Sequence, residues 1–185
     1  LRWFPSEPPG FSRGEAQESG GNYTEVWFER GERLVDPRRV KTVVRALAGV
    51  FSQDPRLLRK RYAKTAGTDK AIPLPLREDF VLVPIKTRTA WHKDHGTCGY
   101  VVLSKVVSYE AVEEGEFRSR IYFSNGMVLK SLWRIDTVRN KFHQAEDVQK
   151  EYRRLYLVKS TPRELREYLP AGKLVYIIDE RQASG

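Results

Sequence analysis

The hydrophobic period of this chain changes twice, and the changes divide it into blocks of different structure. Between residues 37 and 66 apolar side chains recur at helical spacing: Val40, Val43, Val44 and Leu47, then Leu58 and Tyr62. From Ala71 onward, short apolar runs bounded by turn residues replace that spacing. From Gln144 the helical spacing returns, with Ala145, Val148, Tyr152 and Leu155 on one face. Helices, then strands, then helix predict an α+β fold. Its expected form is a basic two-helix unit packed on a small, mainly antiparallel β domain, with a C-terminal helical segment.

Local signals set the expected boundaries. Asp36-Pro37 and Asp54-Pro55 each read as an acidic N-cap followed by proline at the first helical position. They predict helices over 37–48 and 55–66, with Gly49 and Gly67 as stops. Residues 23–28 read as a strand, with a turn at Gly31. Residues 72–76 carry two prolines, which confines them to an edge or extended segment. Residues 80–85 read as a strand, 86–98 as a polar loop and 99–109 as a β-rich run. Asn125-Gly126 joins two β-rich runs, 118–124 and 127–133. The pair predicts a type I′ hairpin turn, in which both central residues need positive φ. Residues 136–142 read as a short helix and 144–158 as a separate one. Thr161-Pro162-Arg163-Glu164 reads as a capping box opening a further helix, and 174–178 as a short strand. The Pro-, Gly-, Ser- and Glu-rich residues 1–22 read as a flexible arm. Three units are therefore expected: the arm (1–22), an α+β domain (23–142) and a C-terminal helix–helix–strand segment (143–185).

Charge is distributed unevenly. Of the net +9, residues 37–64 alone hold +8: Arg38, Arg39, Lys41, Arg45, Arg56, Arg59, Lys60, Arg61 and Lys64 against the single acid Asp54. A helix face that is merely solvated mixes charge signs to limit self-repulsion, and this one does not. Such a local positive field suits nucleic acid above other cellular polyanions. An acidic protein or an anionic membrane surface is the alternative, and the valines and leucines of the stripes suit a core better than a bilayer. In the 86–98 loop Lys86, Arg88 and Lys93 alternate with Thr87, Thr89 and Trp91, a mixture suited to phosphate oxygens. An arginine such as Arg88 suits the narrow minor groove of A/T-rich DNA. Beyond the hairpin, Lys130 and Arg134 are further candidates for phosphate contact, with Arg139 and Lys141 nearby and Trp133 expected in the core.

Several classes are not expected. No run of about 18 apolar residues exists, and the N-terminus has no signal-peptide pattern. Cys98 is the only cysteine, so no intrachain disulfide forms, and a cytosolic location is expected. His92, Asp94, His95 and Cys98 have metal-ligand chemistry, but structural zinc sites normally use at least two cysteines. No metal or cofactor is therefore expected, and Cys98 reads as a small buried hydrophobe. Phosphate-cradling glycine loops, nucleophile elbows and H-E-x-x-H motifs are missing from the sequence. Glu78-Asp79 with Lys86 is the one faint nuclease-like grouping. No enzymatic activity and no small-molecule substrate are expected.

Residues 31–142 resemble the ComK family of competence transcription factors of Gram-positive bacteria. The likeness runs from Gly31-Glu32 in a G-E-x-L-V strand, through the helix pair and the proline-containing segment 72–76. It is clearest in Phe80-Val81-Leu82-Val83-Pro84, Thr97-Cys98-Gly99-Tyr100-Val101 and Ile121-Tyr122-Phe123-Ser124-Asn125-Gly126. The chain departs from the family in a longer loop holding Trp91-His92-Lys93-Asp94-His95 and in the turn between the two helices. Residues 80–133 also look like the LytTR DNA-binding domain. These resemblances imply a sequence-selective transcriptional activator that reads paired A/T-rich boxes of double-stranded DNA, largely through the minor groove. They also imply a homo-oligomer of at least two subunits on DNA, in the bacterial cytoplasm at the nucleoid. The alternatives are a basic adaptor binding acidic protein or membrane, and a nucleic-acid-processing enzyme.

Overall fold

The computed structural model describes residues 23–88 and 98–156, without the side chain of Tyr156. The expected arm, the 89–97 part of the polar loop with Lys93, and the elements expected beyond residue 157 lie outside the described residues. Strands β1 (Thr24–Trp27) and β2 (Arg33–Asp36) form a two-stranded antiparallel ribbon. Helices α1 (Val40–Val50) and α2 (Pro55–Ala66) follow. Strands β3 (Leu74–Arg77), β4 (Phe80–Lys86) and β5 (Cys98–Val102) form an antiparallel sheet with β4 at its centre. A single 3-10 turn, Leu103–Lys105, leads to a second three-stranded antiparallel sheet. Its strands are β6 (Val106–Glu114), β7 (Phe117–Phe123) and β8 (Val128–Ser131), with β7 central. Helix α3 (Ile135–Tyr156) completes an α+β fold.

Two cores meet at β4. Strand side chains alternate between faces, and β4 is buried on both. Leu82, with the half-buried Phe80, packs into a core built by Val44 and Ala48 of α1, Leu58, Tyr62 and Ala66 of α2, and Ile72, Leu74 and Leu76. Val81, Val83 and Ile85 enter the other core with Val101, Ile121, and Val138, Phe142 and Ala145 of α3. Helix α3 serves both, because Val148 and Tyr152 of its C-terminal half join the first core. Burying each Val, Leu, Ile or Phe among them stabilises the fold by about 1.5–3 kcal/mol relative to exposure. Proline is tolerated for positional reasons. Pro75 lies in the edge strand β3, and Pro84 lies beyond the β3 ladder, which ends at Leu74 opposite Leu82.

The two Asp-Pro signals have different outcomes. Asp54 accepts from the Arg56 amide at 2.6 Å, and α2 starts at Pro55 and stops at Gly67 with φ +61, as expected. Asp36 accepts from the Arg38 amide at 2.8 Å in the same way, yet α1 begins only at Val40. The cause is β1. Asp36 is paired with Thr24, and the Thr24 hydroxyl donates to the Arg38 carbonyl at 2.6 Å. That carbonyl is the acceptor a longer helix would need for Thr42, which bonds Arg39 instead. At the other end, Gly49 does not stop α1. The helix runs to Val50, and Ser52 takes the left-handed position at φ 55 while the Gln53 amide bonds back to the Ala48 carbonyl.

Three further expectations are corrected. The 99–109 run is divided by the 3-10 turn into β5 and β6, which belong to different sheets. The 124–126 turn is not type I′, because Gly126 alone has positive φ (+79) and Asn125 does not. The Gly126 amide bonds the Phe123 carbonyl, and the Phe123 amide bonds the Met127 carbonyl, which makes a three-residue loop with glycine at the bulge. Asn125 is held by its side chain, which donates to the carbonyls of Phe28 and Glu29 and ties the hairpin to the β1–β2 ribbon. Finally, the helices expected at 136–142 and 144–158 are one 22-residue helix, since no breaker separates them. It runs through the expected 142/143 unit boundary.

Gly126→Val places a β-branched residue at φ +79, with no steric contact to blame. We expect a loss of about 1–3 kcal/mol in stability, read from the urea midpoint at unchanged m. An unchanged midpoint means that the loop does not depend on this conformation.

Candidate nucleic-acid interface

Burial on α2 follows a strict helical stripe: Pro55, Leu58, Tyr62 and Ala66 are buried. The opposite face is exposed and carries Arg56, Leu57, Lys60, Arg61, Lys64 and Thr65. On α1, Val44 and Ala48 are buried, while Lys41 and Arg45 are exposed, with Arg39 just ahead of the first turn. The same apolar stripes that dock the helices therefore segregate the cations outward.

The fourteen cations singled out from sequence fall into groups with different surroundings. Arg39, Lys41, Arg45, Arg56, Lys60 and Lys64 are exposed and have no acidic partner within 4 Å among the described residues. Arg59 is half-buried, and its guanidinium reaches the Tyr100 hydroxyl at a long 3.4 Å. That contact brings the edge of α2 within two residues of Cys98, where the 86–98 loop re-enters the sheet. Arg61 is exposed, and its charge helps to lower the pKa of Glu151 on α3. The Arg154 guanidinium, bonded to that carboxylate at 2.9 Å, is the larger cause.

Arg38 is committed elsewhere. Its guanidinium forms three bonds to Asp36, Nε to Oδ1 at 2.9 Å and to Oδ2 at 3.2 Å, and Nη2 to Oδ2 at 2.6 Å. These bonds hold the Asp36 carboxyl below the usual carboxylate range, against the opposing effect of partial burial. Asp36 lies one residue outside the 37–64 stretch, so a charge count over that stretch misses it.

The second sheet separates Lys130 from the helical cations. Lys130 bonds Glu114 at 2.7 Å, and Glu114 also pairs with Arg120. Arg120 lies 3.7 Å from Glu110, which accepts from the Tyr122 hydroxyl. This exposed face of β6–β7–β8 is a closed ion-pair ladder with its charge already balanced. Arg134 is exposed at a shallow groove of about 360 Å³ that also holds Arg118, Glu113 and Asp136, so the charges there are mixed. Its neighbourhood is nonetheless tied to the loop root. The Lys86 carbonyl accepts from the Leu132 amide at 2.9 Å and from the Ser131 hydroxyl at 3.0 Å. Lys86 and Arg88 therefore leave β4 beside the β8–α3 junction, Lys86 half-buried and Arg88 exposed. Lys93 lies outside the described residues.

The other sequence candidates also have definite places. Cys98 is half-buried at the start of β5, not buried as expected. Glu78 and Asp79 are not clustered for metal chemistry. Asp79 bonds Arg77 at 2.5 Å, which lowers its pKa, and Glu78 bonds Arg153 at 3.0 Å. No group of three potential metal ligands exists among the described residues. No helix among them is long and apolar enough to cross a membrane. The sequence shows Glu113-Glu114 only as scattered acids, because Glu114's partners Arg120 and Lys130 are brought to it by strand pairing, while the Glu151–Arg154 pair at i,i+3 was within reach of helical spacing.

No family model, no curated protein and no solved structure matches this chain.

The Asp36–Arg38 pair gives a pH prediction with a definite sign. A carboxyl whose folded pKa is lowered contributes stability above its unfolded pKa, near 4, and loses it as pH falls through the folded pKa. Asp36→Asn should therefore lower the urea midpoint at pH 6.5, with the gap to wild type narrowing as pH falls towards 3. A gap that stays constant with pH would rule out the ionised pair as the source.

Proposed function

We propose that this chain is a sequence-selective DNA-binding transcriptional regulator of the competence-activator type. The observation that supports this reading most is the set of exposed cations on and beside α1 and α2 that have no acidic partner among the described residues. On the second sheet, Lys130 and Arg120 are instead balanced by Glu114 and Glu110. Keeping like charges together without acids is unfavourable for the isolated protein, and a polyanion relieves it.

Spacing adds support. Arg56, Lys60 and Lys64 recur every four residues, about 6 Å along a helix axis. One DNA strand carries a phosphate about every 3.4 Å of duplex axis, so such a row matches roughly every second phosphate. These helices supply affinity. The segment beginning at Lys86 and Arg88 supplies A/T preference by entering the minor groove, where a narrow A-tract strengthens the negative potential. Two or more subunits act together on paired A/T-rich boxes, in the cytoplasm at the bacterial nucleoid. The protein works by binding alone, with no cofactor, metal or small-molecule substrate. The block pattern resembling ComK-type activators agrees with each of these points.

Salt dependence tests the helical footprint. Arg56→Ala, Lys60→Ala and Lys64→Ala combined should flatten the slope of log K against log salt by up to about 2.7, at about 0.9 per phosphate contact. Lys130→Ala should leave it unchanged. Equal slopes for the triple variant and wild type, or a protein that retains only an acidic polypeptide, would refute the reading. The groove assignment has its own test. A minor-groove ligand should displace the protein from A/T-rich duplex, and Arg88→Ala should narrow the preference for A/T-rich over G/C-rich DNA. Displacement by major-groove ligands alone contradicts it.

A further inference from the structure

A buried lysine on α3 holds the chain where it leaves α2. Lys141 is only 9% exposed, yet it carries an ammonium group. Its Nζ donates to the Ala71 carbonyl at 3.0 Å, to the Lys70 carbonyl at 3.3 Å and to Gln144 Oε1 at 2.9 Å. Three acceptors match the three N–H bonds of an ammonium. Burial without such partners would be costly, and removing one side of a satisfied buried set costs more than the set contributes.

The two carbonyls belong to the segment 67–73, which joins the end of α2 to β3. That segment is strained. Ala71 has φ 51, a left-handed conformation that non-glycine residues rarely adopt. The bond from Lys141 to the carbonyl of this same residue offsets the strain. Burial disfavours the charged form and lowers the pKa of Lys141, as expected for an ammonium removed from water. Further along α3, Gln149 donates to the Glu78 carbonyl at 2.7 Å, and Arg153 pairs with the Glu78 carboxylate at 3.0 Å. These contacts fix the next turn, between β3 and β4. Helix α3 thus holds the chain by polar contacts on both sides of β3, while α2 meets α3 in the first core, where Leu58, Tyr62 and Ala66 join Val148 and Tyr152, and through the charge of Arg61 acting on Glu151.

The geometry points to Lys141 as a positioning residue that sets the orientation of the cationic face of α2, and above all of Lys60 and Lys64, without touching the ligand itself. This rests on the reading of α2 as a phosphate-binding helix. Lys141 differs from every other cation in the argument because its ammonium is already saturated by protein oxygens and is closed to a phosphate.

The test uses the full chain with Lys141→Met and, as a second variant, Gln144→Leu, which keeps the ammonium but removes one acceptor. Amide hydrogen exchange is read first. Exchange should accelerate in 67–73 and in the last turn of α2, with α1 and β4 as slow as in wild type. Binding to an A/T-rich duplex is read second. The slope of log K against log salt should flatten by about 1.8 for Lys141→Met, the loss of two phosphate contacts at about 0.9 each, although no exposed charge was removed. Unchanged exchange in 67–73 and α2 overturns the clamp itself. Changed exchange with an unchanged slope in a protein that binds DNA overturns its positioning role. Global unfolding of both variants also overturns it, since the effect would then belong to the whole fold. If wild type binds no DNA, the exchange result still decides the clamp, and the failure belongs to the functional reading.

Discussion

The architecture depends on β4 being buried on both faces. A strand of a small antiparallel sheet usually has one wet face. Here Leu82 enters the core under α1 and α2, while Val81, Val83 and Ile85 enter the core shared with β7 and α3. The helix pair and the second sheet are thereby held to one strand. A slip of one residue in the β4 register would exchange the two sets of side chains. Leu82→Ala would remove a side chain from the core that carries the basic helices, at a cost of about 2–5 kcal/mol.

That constraint also organises the charges. Because α1 and α2 each bury one stripe in the core that Leu82 enters, the cations of each helix lie on its exposed face. The second sheet lies on the other side of β4, where Lys130 is neutralised by Glu114. The basic residues of the sequence thus differ in fate. Some join a field without counter-charges, some are absorbed by a nearby acid, and some, such as Lys141 and Arg59, are bonded by neutral oxygens. Linear charge counting distinguishes these only when the acids are missing from the segment itself, as between Pro55 and Ala66.

Sequence reading succeeded where a signal was local and failed where tertiary contacts intervened. Asp54-Pro55 and Gly67 delimit α2 because nothing outside the helix competes for their backbone groups. Asp36-Pro37 makes the same turn, but Thr24 captures the Arg38 carbonyl and delays α1 by three residues. Asn125-Gly126 marks a hairpin correctly. Its turn type depends on Asn125 bonding the Phe28 and Glu29 carbonyls, nearly a hundred positions away. The α+β class and the edge position of β3 were legible from period and proline alone. The pairing of Arg38 with Asp36 was within reach of the sequence, two residues apart. The saturation of Lys141 by Ala71, Lys70 and Gln144 was not, because backbone carbonyls leave no trace in residue types.

On the proposed function, the outward cations of α1 and α2 form the nucleic-acid surface. The most direct measurement is an NMR titration of the full chain with an A/T-rich duplex, following backbone amides residue by residue. The account predicts shift changes concentrated at the exposed positions of 39–45 and 56–64 and at 86–88, with the amides of β6, β7 and β8 around the Glu114 ladder unmoved. Changes centred on that sheet, or no change at any residue at low salt, would contradict it.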